Sequence, residues 1–350
     1  MFIIPAPWDW LVKALACFLV SWIGCLIVIK RGPRDVPNER SSHSVPIARG
    51  GGLGIVLGFG LGMVFTSFDG LPFWEMHVLW WSFTGLCALM SLPGFWDDLW
   101  SLSATTRLVA QFFICAVFLG VGAKLTTLHL PLIGEITLGA FAIPLSLFWL
   151  VGAVNAFNFL DGLNGLTGGM SLLGAIFLGL IAWMNGDYLL LEICAFFACA
   201  CLGFLILNFP KPSIFLGDGG AYFMGAFWGG MALVKGSEPG GHISFWTIPL
   251  LFFMPLCDVA ITLVRRFVKG RPVFKPHREY HMLLLHRIGW SHTKVTCLYW
   301  GFVCVQGGLA IYMQSAAPSR QPLFFLPLMA FALWFFPWVL HRANRAGITL

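Results

Sequence analysis

Asn155-Ala156-Phe157-Asn158-Phe159-Leu160-Asp161-Gly162-Leu163-Asn164-Gly165 is the stretch from which the fold can be read. Long apolar runs flank it, at about 137–154 and 165–184. A carboxylate beside hydrocarbon costs several kcal/mol unless it is hydrated, paired or bound to a cation. The stretch therefore reads as a polar junction between two membrane helices. Asn158 and Asp161 are three apart and share a face on a helical turn. Amides there can ligate a cation, read a base edge or hydrogen-bond between helices.

The same arrangement recurs on either side. Gly94-Phe95-Trp96-Asp97-Asp98 and Phe215-Leu216-Gly217-Asp218-Gly219-Gly220 are further short interruptions between apolar runs. Only 15 of 350 residues are Asp or Glu, 58% are hydrophobic and 10% charged, and mean hydropathy is +0.83. A soluble domain carries roughly a quarter charged residues, so the chain is a polytopic membrane protein. Its net charge of +6 does not point to nucleic acid, because the cations lie in loops between helices. All ten cysteines fall within apolar runs without a Cys-x-x-Cys, and read as small buried hydrophobes.

A bilayer crossing needs roughly 20 apolar residues. That ruler predicts an all-α polytopic protein with about eleven spans, near 11–29, 51–68, 77–94, 108–125, 137–154, 165–184, 188–207, 219–235, 245–264, 294–313 and 322–340. The first is a retained helix, since no signal-type cleavage site follows it. There is room for a single transmembrane domain only, with active loops at 30–50, 95–107, 155–165, 208–220 and 265–294; the last carries a short surface helix. All of the 21 Lys and Arg except Lys13, Lys124, Lys235 and Arg320 fall on one side. The positive-inside rule then puts the N-terminus outside, the C-terminus inside and every quoted motif on the cytoplasmic face.

Four further patterns carry chemistry. Arg40, His43 and Arg49 precede Gly50-Gly51-Gly52, where glycines let backbone N–H groups approach an anion, although membrane helices also use glycine for packing. Asp97-Asp98 would repel each other without Mg²⁺, nearby Arg107 or a substrate proton. Asn208-Phe209-Pro210, with Phe215 three residues before Asp218, offers an aromatic face beside a carboxylate, for a nucleobase and its metal-bound diphosphate; an interface anchor is the plainer use of Phe215. His277 and His281, at i and i+4 around Arg278, suit phosphate contacts better than zinc, for which a third ligand is lacking.

Taken in order, these segments resemble the polyprenyl-phosphate N-acetylhexosamine-1-phosphate transferase superfamily, from about residue 33 to 294. The first loop and the His-Arg-x-x-His form of the last resemble the branch that initiates O-antigen and other surface polysaccharides. The three-histidine run of the peptidoglycan-type phospho-MurNAc-pentapeptide transferases, the runner-up, is absent. The resemblance implies transfer of a sugar phosphate from a UDP-N-acetylhexosamine to undecaprenyl phosphate with release of UMP, in the bacterial inner membrane. It implies catalytic roles for Asp97, Asp98 and Asp161, and Mg²⁺ (or Mn²⁺) on Asp218 and Asn158. It assigns the nucleotide to Asn164, Asn208 and Phe215, and phosphate or sugar to Arg40, His43, Arg49, Arg107, His277, Arg278 and His281. A homodimer is left open. Asn164 stands where relatives commonly have Asp, and Ala221 where many have Ser. A transporter, the alternative from another class, would show internal repeats and midplane charges; neither is found.

Overall fold

The computed structural model describes residues 7–37, 45–68, 78–238, 241–273 and 277–348. Arg40 and His43 lie outside the described residues. The chain order is α1 (Pro7–Arg31), β1 (Arg34–Asp35), β2 (Ile47–Arg49), α2 (Gly52–Phe68), α3 (Val78–Trp100) and α4 (Ala104–Gly120). A hairpin follows, β3 (Thr127–Leu130) and β4 (Gly134–Thr137), then α5 (Ala142–Leu160), α6 (Leu166–Met184), α7 (Tyr188–Asn208) and β5 (Ile214–Phe215). The chain ends with α8 (Gly217–Ser237), α9 (Thr247–Leu251), α10 (Phe253–Val268), α11 (His281–Arg287), α12 (His292–Met313) and α13 (Phe325–Arg345).

Seven helical stretches among the described residues are long and apolar enough to cross a membrane: those of α1, α3, α5, α6, α7, α12 and α13. Shorter apolar helices run through Gly52–Thr66 and Ala104–Gly120. Each of the eleven apolar stretches read from sequence overlaps a helix, and the seven long apolar helices make the protein a polytopic membrane protein.

Three departures matter. First, 245–264 is not one helix: α9 ends at Leu251, and α10 restarts at Phe253. Pro255 has no N–H to give the Leu251 carbonyl, which breaks the ladder there. Second, the fold is not purely helical. β2 pairs antiparallel with β1 and parallel with β5, with Arg49 opposite Phe215, and β3 pairs with β4. Strands of two to four residues leave no alternation for sequence to display. Third, Cys297 and Cys304 face outward on α12 instead of being buried; all ten cysteines are free.

The core is built on α8, whose residues from Gly217 to Lys235 are nearly all buried. Phe197 of α7 stacks on Phe227 of α8 with centroids 3.7 Å apart, and Phe59 of α2 meets both edge-on. Glycine sets the approach of α3 to α8: a Cβ at Gly94 would lie 2.5 Å from the Asp218 carbonyl. That contact brings the last turns of α3 against the first turn of α8.

Candidate active site

The site forms where α3, α5 and α8 meet the three-stranded sheet. Gly217 opens α8 at φ +78°, and a Cβ there would lie 2.6 Å from Asp98 Oδ2. Only glycine combines that left-handed backbone with that clearance. Asp98 is thereby admitted to the start of α8, where its Oδ1 accepts from the Asp218 N–H at 3.0 Å and its Oδ2 from the Gly219 N–H at 3.3 Å. An anion at a helix N-terminus, on otherwise unpaired N–H groups, is a favourable placement.

Arg49 joins the acids. Its Nε lies 2.7 Å from Asp98 Oδ1 and its Nη2 donates to Asp218 Oδ2 at 2.9 Å. The β2–β5 pairing delivers it, carrying Arg49 alongside Phe215 and so to Asp218, 169 positions away in sequence. Asn158, at the end of α5, donates from Nδ2 to Asp218 Oδ1 at 2.7 Å. Beside them Arg107 Nη1 donates to Asp97 Oδ2 at 2.6 Å, while Asp97 Oδ1 accepts from the Leu102 N–H. Asp161 caps α5 and stands close enough to feel Asp218, Arg49 and Asp98. Burial pushes its carboxyl up to about 7, Asp218 adds to the rise and Arg49 opposes it.

The structure thus brings together Asp97, Asp98, Asp161, Asp218, Asn158, Arg49 and Arg107, as the sequence suggested. Other expected residues sit elsewhere. Asn208 is 5% exposed and spends both amide ends on backbone, accepting from Gly165 N–H and donating to the Ile214 carbonyl. Its side chain is a clamp between α6 and β5, with no end left for a nucleotide. The Gly50–Gly52 amides do not face an anion: they donate to the carbonyls of Phe215 and Leu216. Phe215 is half-buried in β5.

His281 is fully buried, with Nδ1 on Asp258 and its ring against Phe336, so it is not at the cluster. His277 lies half-buried on the loop before α11, as does Arg278. Burial, then Arg266, pushes the His277 imidazole down to about 4, leaving it neutral at pH 7. Its Nδ1 accepts from the Glu279 N–H, so the proton is on Nε2 and the ring is a donor rather than a charge. The backbone carbonyl of Asn164 accepts from the Thr296 hydroxyl of α12.

Tyr222, one turn along α8 from Asp218 and close enough to Arg107 to feel its charge, was not singled out in the sequence. The i, i+4 spacing from Asp218 was the available signal. Nor was Asp258, a lone acid in an apolar run.

The donor set suits a hard cation, since the Asp218 carboxylate and the Asn158 amide oxygen are both oxygen ligands. No group of three or more His, Cys, Asp or Glu is gathered as a metal cage among the described residues.

Residues 80–236, which contain most of this cluster, match Glycosyl transferase family 4. A decaprenyl-phosphate N-acetylglucosaminephosphotransferase of Mycobacterium tuberculosis (strain ATCC 25618 / H37Rv) is 31% identical over 310 residues, covering 79% of this chain and 75% of that protein. A probable undecaprenyl-phosphate N-acetylglucosaminyl 1-phosphate transferase of Bacillus subtilis (strain 168) is 28% identical over 292 residues, 81% of this chain and 80% of its own. An undecaprenyl-phosphate alpha-N-acetylglucosaminyl 1-phosphate transferase of Salmonella typhi is 28% identical over 327 residues, 88% and 84%. An acid-rich, arginine-bridged cluster at one end of a membrane-spanning bundle, together with these likenesses, shows that the chain belongs to the polyprenyl-phosphate N-acetylhexosamine-1-phosphate transferase superfamily.

Proposed function

We propose that this protein transfers an N-acetylhexosamine 1-phosphate from a UDP-sugar to undecaprenyl phosphate, releases UMP and so starts a lipid-linked surface glycan. The observation that carries the reading is Arg49 shared between Asp98 and Asp218, with Asn158 on the same Asp218 carboxylate. Acids outnumber guanidinium groups there, which leaves capacity for a cation and its phosphates. The positive-inside distribution supports eleven crossings with the N-terminus periplasmic and this cluster on the cytoplasmic face of a bacterial inner membrane, where nucleotide sugars are made.

The chemistry asks for charge management more than covalent work. An oxygen of the lipid phosphate forms a new bond to the sugar-bearing phosphorus, the P–O bond to UMP breaks, and the anomeric C–O bond stays intact. The lipid phosphate is already a nucleophile, so a carboxylate need only hold its last proton; Asp97 or Asp98 serves by resemblance. Asp161, whose carboxyl is raised by burial and by Asp218, is placed beside the reacting phosphates to hold or pass a proton. Asp218 and Asn158 would hold magnesium, with manganese as the substitute. When bound, the ion supplies positive charge to the diphosphate and the departing UMP. Arg49 and Arg107 would orient phosphate oxygens through their guanidinium groups.

The test is UMP release by the purified protein in detergent with undecaprenyl phosphate, magnesium and a panel of UDP-sugars. Release that depends on the lipid and on one UDP-N-acetylhexosamine is expected. Lipid-independent hydrolysis across the panel, or no release, would overturn the reading.

A further inference from the structure

Asp258 belongs to none of the motifs assigned to the reaction, yet it is the most heavily coordinated acid among the described residues. It sits on α10, fully buried. Its Oδ1 accepts from the His281 N–H and from His281 Nδ1, each at 2.7 Å. Its Oδ2 accepts from the Met282 N–H at 3.0 Å and from the Tyr299 hydroxyl at 2.5 Å. The two backbone donors are first-turn N–H groups of α11, which have no partner within their own helix. One carboxylate therefore ties the start of α11 to α10 and α12.

What α11 touches next is the polar junction between α5 and α6. Tyr280 stacks on Phe159 with centroids 5.7 Å apart and planes 24° from parallel. Met282 and Leu283 close over Gly162, where a Cβ would come within 3.3 Å of each. Gly162 follows Asp161 directly, and Phe159 follows Asn158 directly. The far half of the junction is held by other means. Thr296 Oγ1 donates to the Asn164 carbonyl at 2.8 Å and Trp300 Nε1 to the Gly165 carbonyl at 3.1 Å, both from α12.

We infer that Asp258 is a positioning residue for the transfer site: through α11 it sets Asn158 and Asp161 against Asp218, while α12 separately sets Asn164. The kinetic side of this inference rests on the proposed transferase activity; the structural side does not.

The experiment uses the full-length protein in detergent as wild type, Asp258→Asn, Tyr299→Phe and Thr296→Val. Tyr299→Phe removes one hydrogen bond and keeps the ring, so it carries the test if Asp258→Asn does not fold. Amide hydrogen exchange is followed along the chain. UMP release is measured with the UDP-sugar that wild type uses best, and turnover is counted per UMP-binding site so that a smaller folded fraction cancels.

For Asp258→Asn, faster exchange confined to 157–162 and the start of α11 is expected, with α8 unchanged. Its kcat should fall on the order of tenfold to a hundredfold, as for a displaced catalytic group, while KM stays within about twofold. Tyr299→Phe should show the same pattern more weakly. Thr296→Val should show the reverse, with KM for the UDP-sugar raised and kcat kept.

Unchanged exchange at 157–162 in both variants of the Asp258 contacts overturns the inference. So does loss of protection spread through α8, or kcat per site left at the wild-type value. If wild type releases no UMP, the transferase reading fails, and the exchange pattern still decides whether Asp258 positions the junction.

Discussion

Asp258, fully buried, and Asp218, half-buried with its side chain 19% exposed, are two acids of one protein with opposite surroundings. Around Asp258, two backbone N–H groups, an imidazole and a phenol converge on a single carboxylate. Around Asp218, Asp97, Asp98 and Asp161 crowd in, and Arg49 and Arg107 are shared among them. The first carboxylate has a donor for each of its acceptor sites and takes nothing further. The second group has more negative charge than its guanidinium partners offset, so it retains an appetite for a cation and for a substrate proton. What separates a structural acid from a reactive one here is the ratio of donors to carboxylates, together with the access that the half-buried Asp218 keeps and the fully buried Asp258 lacks.

The largest expected effect tests that ratio directly. Asp98→Asn or Asp218→Asn should lower turnover by about a thousandfold or more, as loss of a group that organises transition-state charge does. Thermal unfolding should stay near wild type, because relieving crowded negative charge offsets lost hydrogen bonds. A collapse in unfolding temperature would erase the contrast with Asp258. Next comes Arg49→Lys. One ammonium cannot reach two carboxylates as the planar guanidinium does, so initial rates should drop on the order of a hundredfold. Retention of activity within about threefold would show that the bridge is dispensable.

Asn208→Ala should act on stability, costing about 1–3 kcal/mol because a buried N–H and a buried carbonyl lose their partners. KM for the UDP-sugar should be unchanged; a protein of normal stability with a much weaker KM would restore Asn208 to the nucleotide. The smallest effect concerns pH. A carboxyl whose folded value is raised binds its proton more tightly in the folded state, so its contribution to stability is full below the ordinary carboxylate range and is lost as pH rises to about 7. In magnesium-free buffer the unfolding temperature of wild type should decline between pH 5 and 8, and Asp161→Asn should flatten that decline. Equal slopes would mean that Asp161 ionises without penalty.

Much of this was legible in the sequence. Membrane class follows from composition. The junctions at 94–98, 155–165 and 215–220 stand out because acids are rare and hydrocarbon makes each one costly. Their residues do meet, with Asn158 on Asp218 and Asp98 at the start of α8. Arg49 was legible as a cation but not as the bridge, because a parallel pairing of two or three residues leaves no periodicity. The inward turn of Asn208 and His281 was hidden for another reason. A polar residue at an interruption faces either a ligand or the backbone of a neighbouring segment, and only tertiary packing decides which. Asp258 carried only the signal that any acid in hydrocarbon carries, since a single acid within an apolar run belongs to no spacing pattern. The break at Phe252 was foreshadowed by Pro255, which composition-based span finding overlooks.

The central claim is that the Arg49-bridged cluster moves a sugar phosphate from nucleotide to lipid. It is tested most directly by following the β-phosphate of the UDP-sugar with a radioactive label, in wild type and in a folded Asp218→Asn variant. The account predicts that wild type carries the labelled phosphate with its sugar into undecaprenyl-linked product and leaves unlabelled UMP, and that the variant yields none above background. Labelled lipid from Asp218→Asn at the wild-type rate, or label recovered in the released nucleotide, would contradict it.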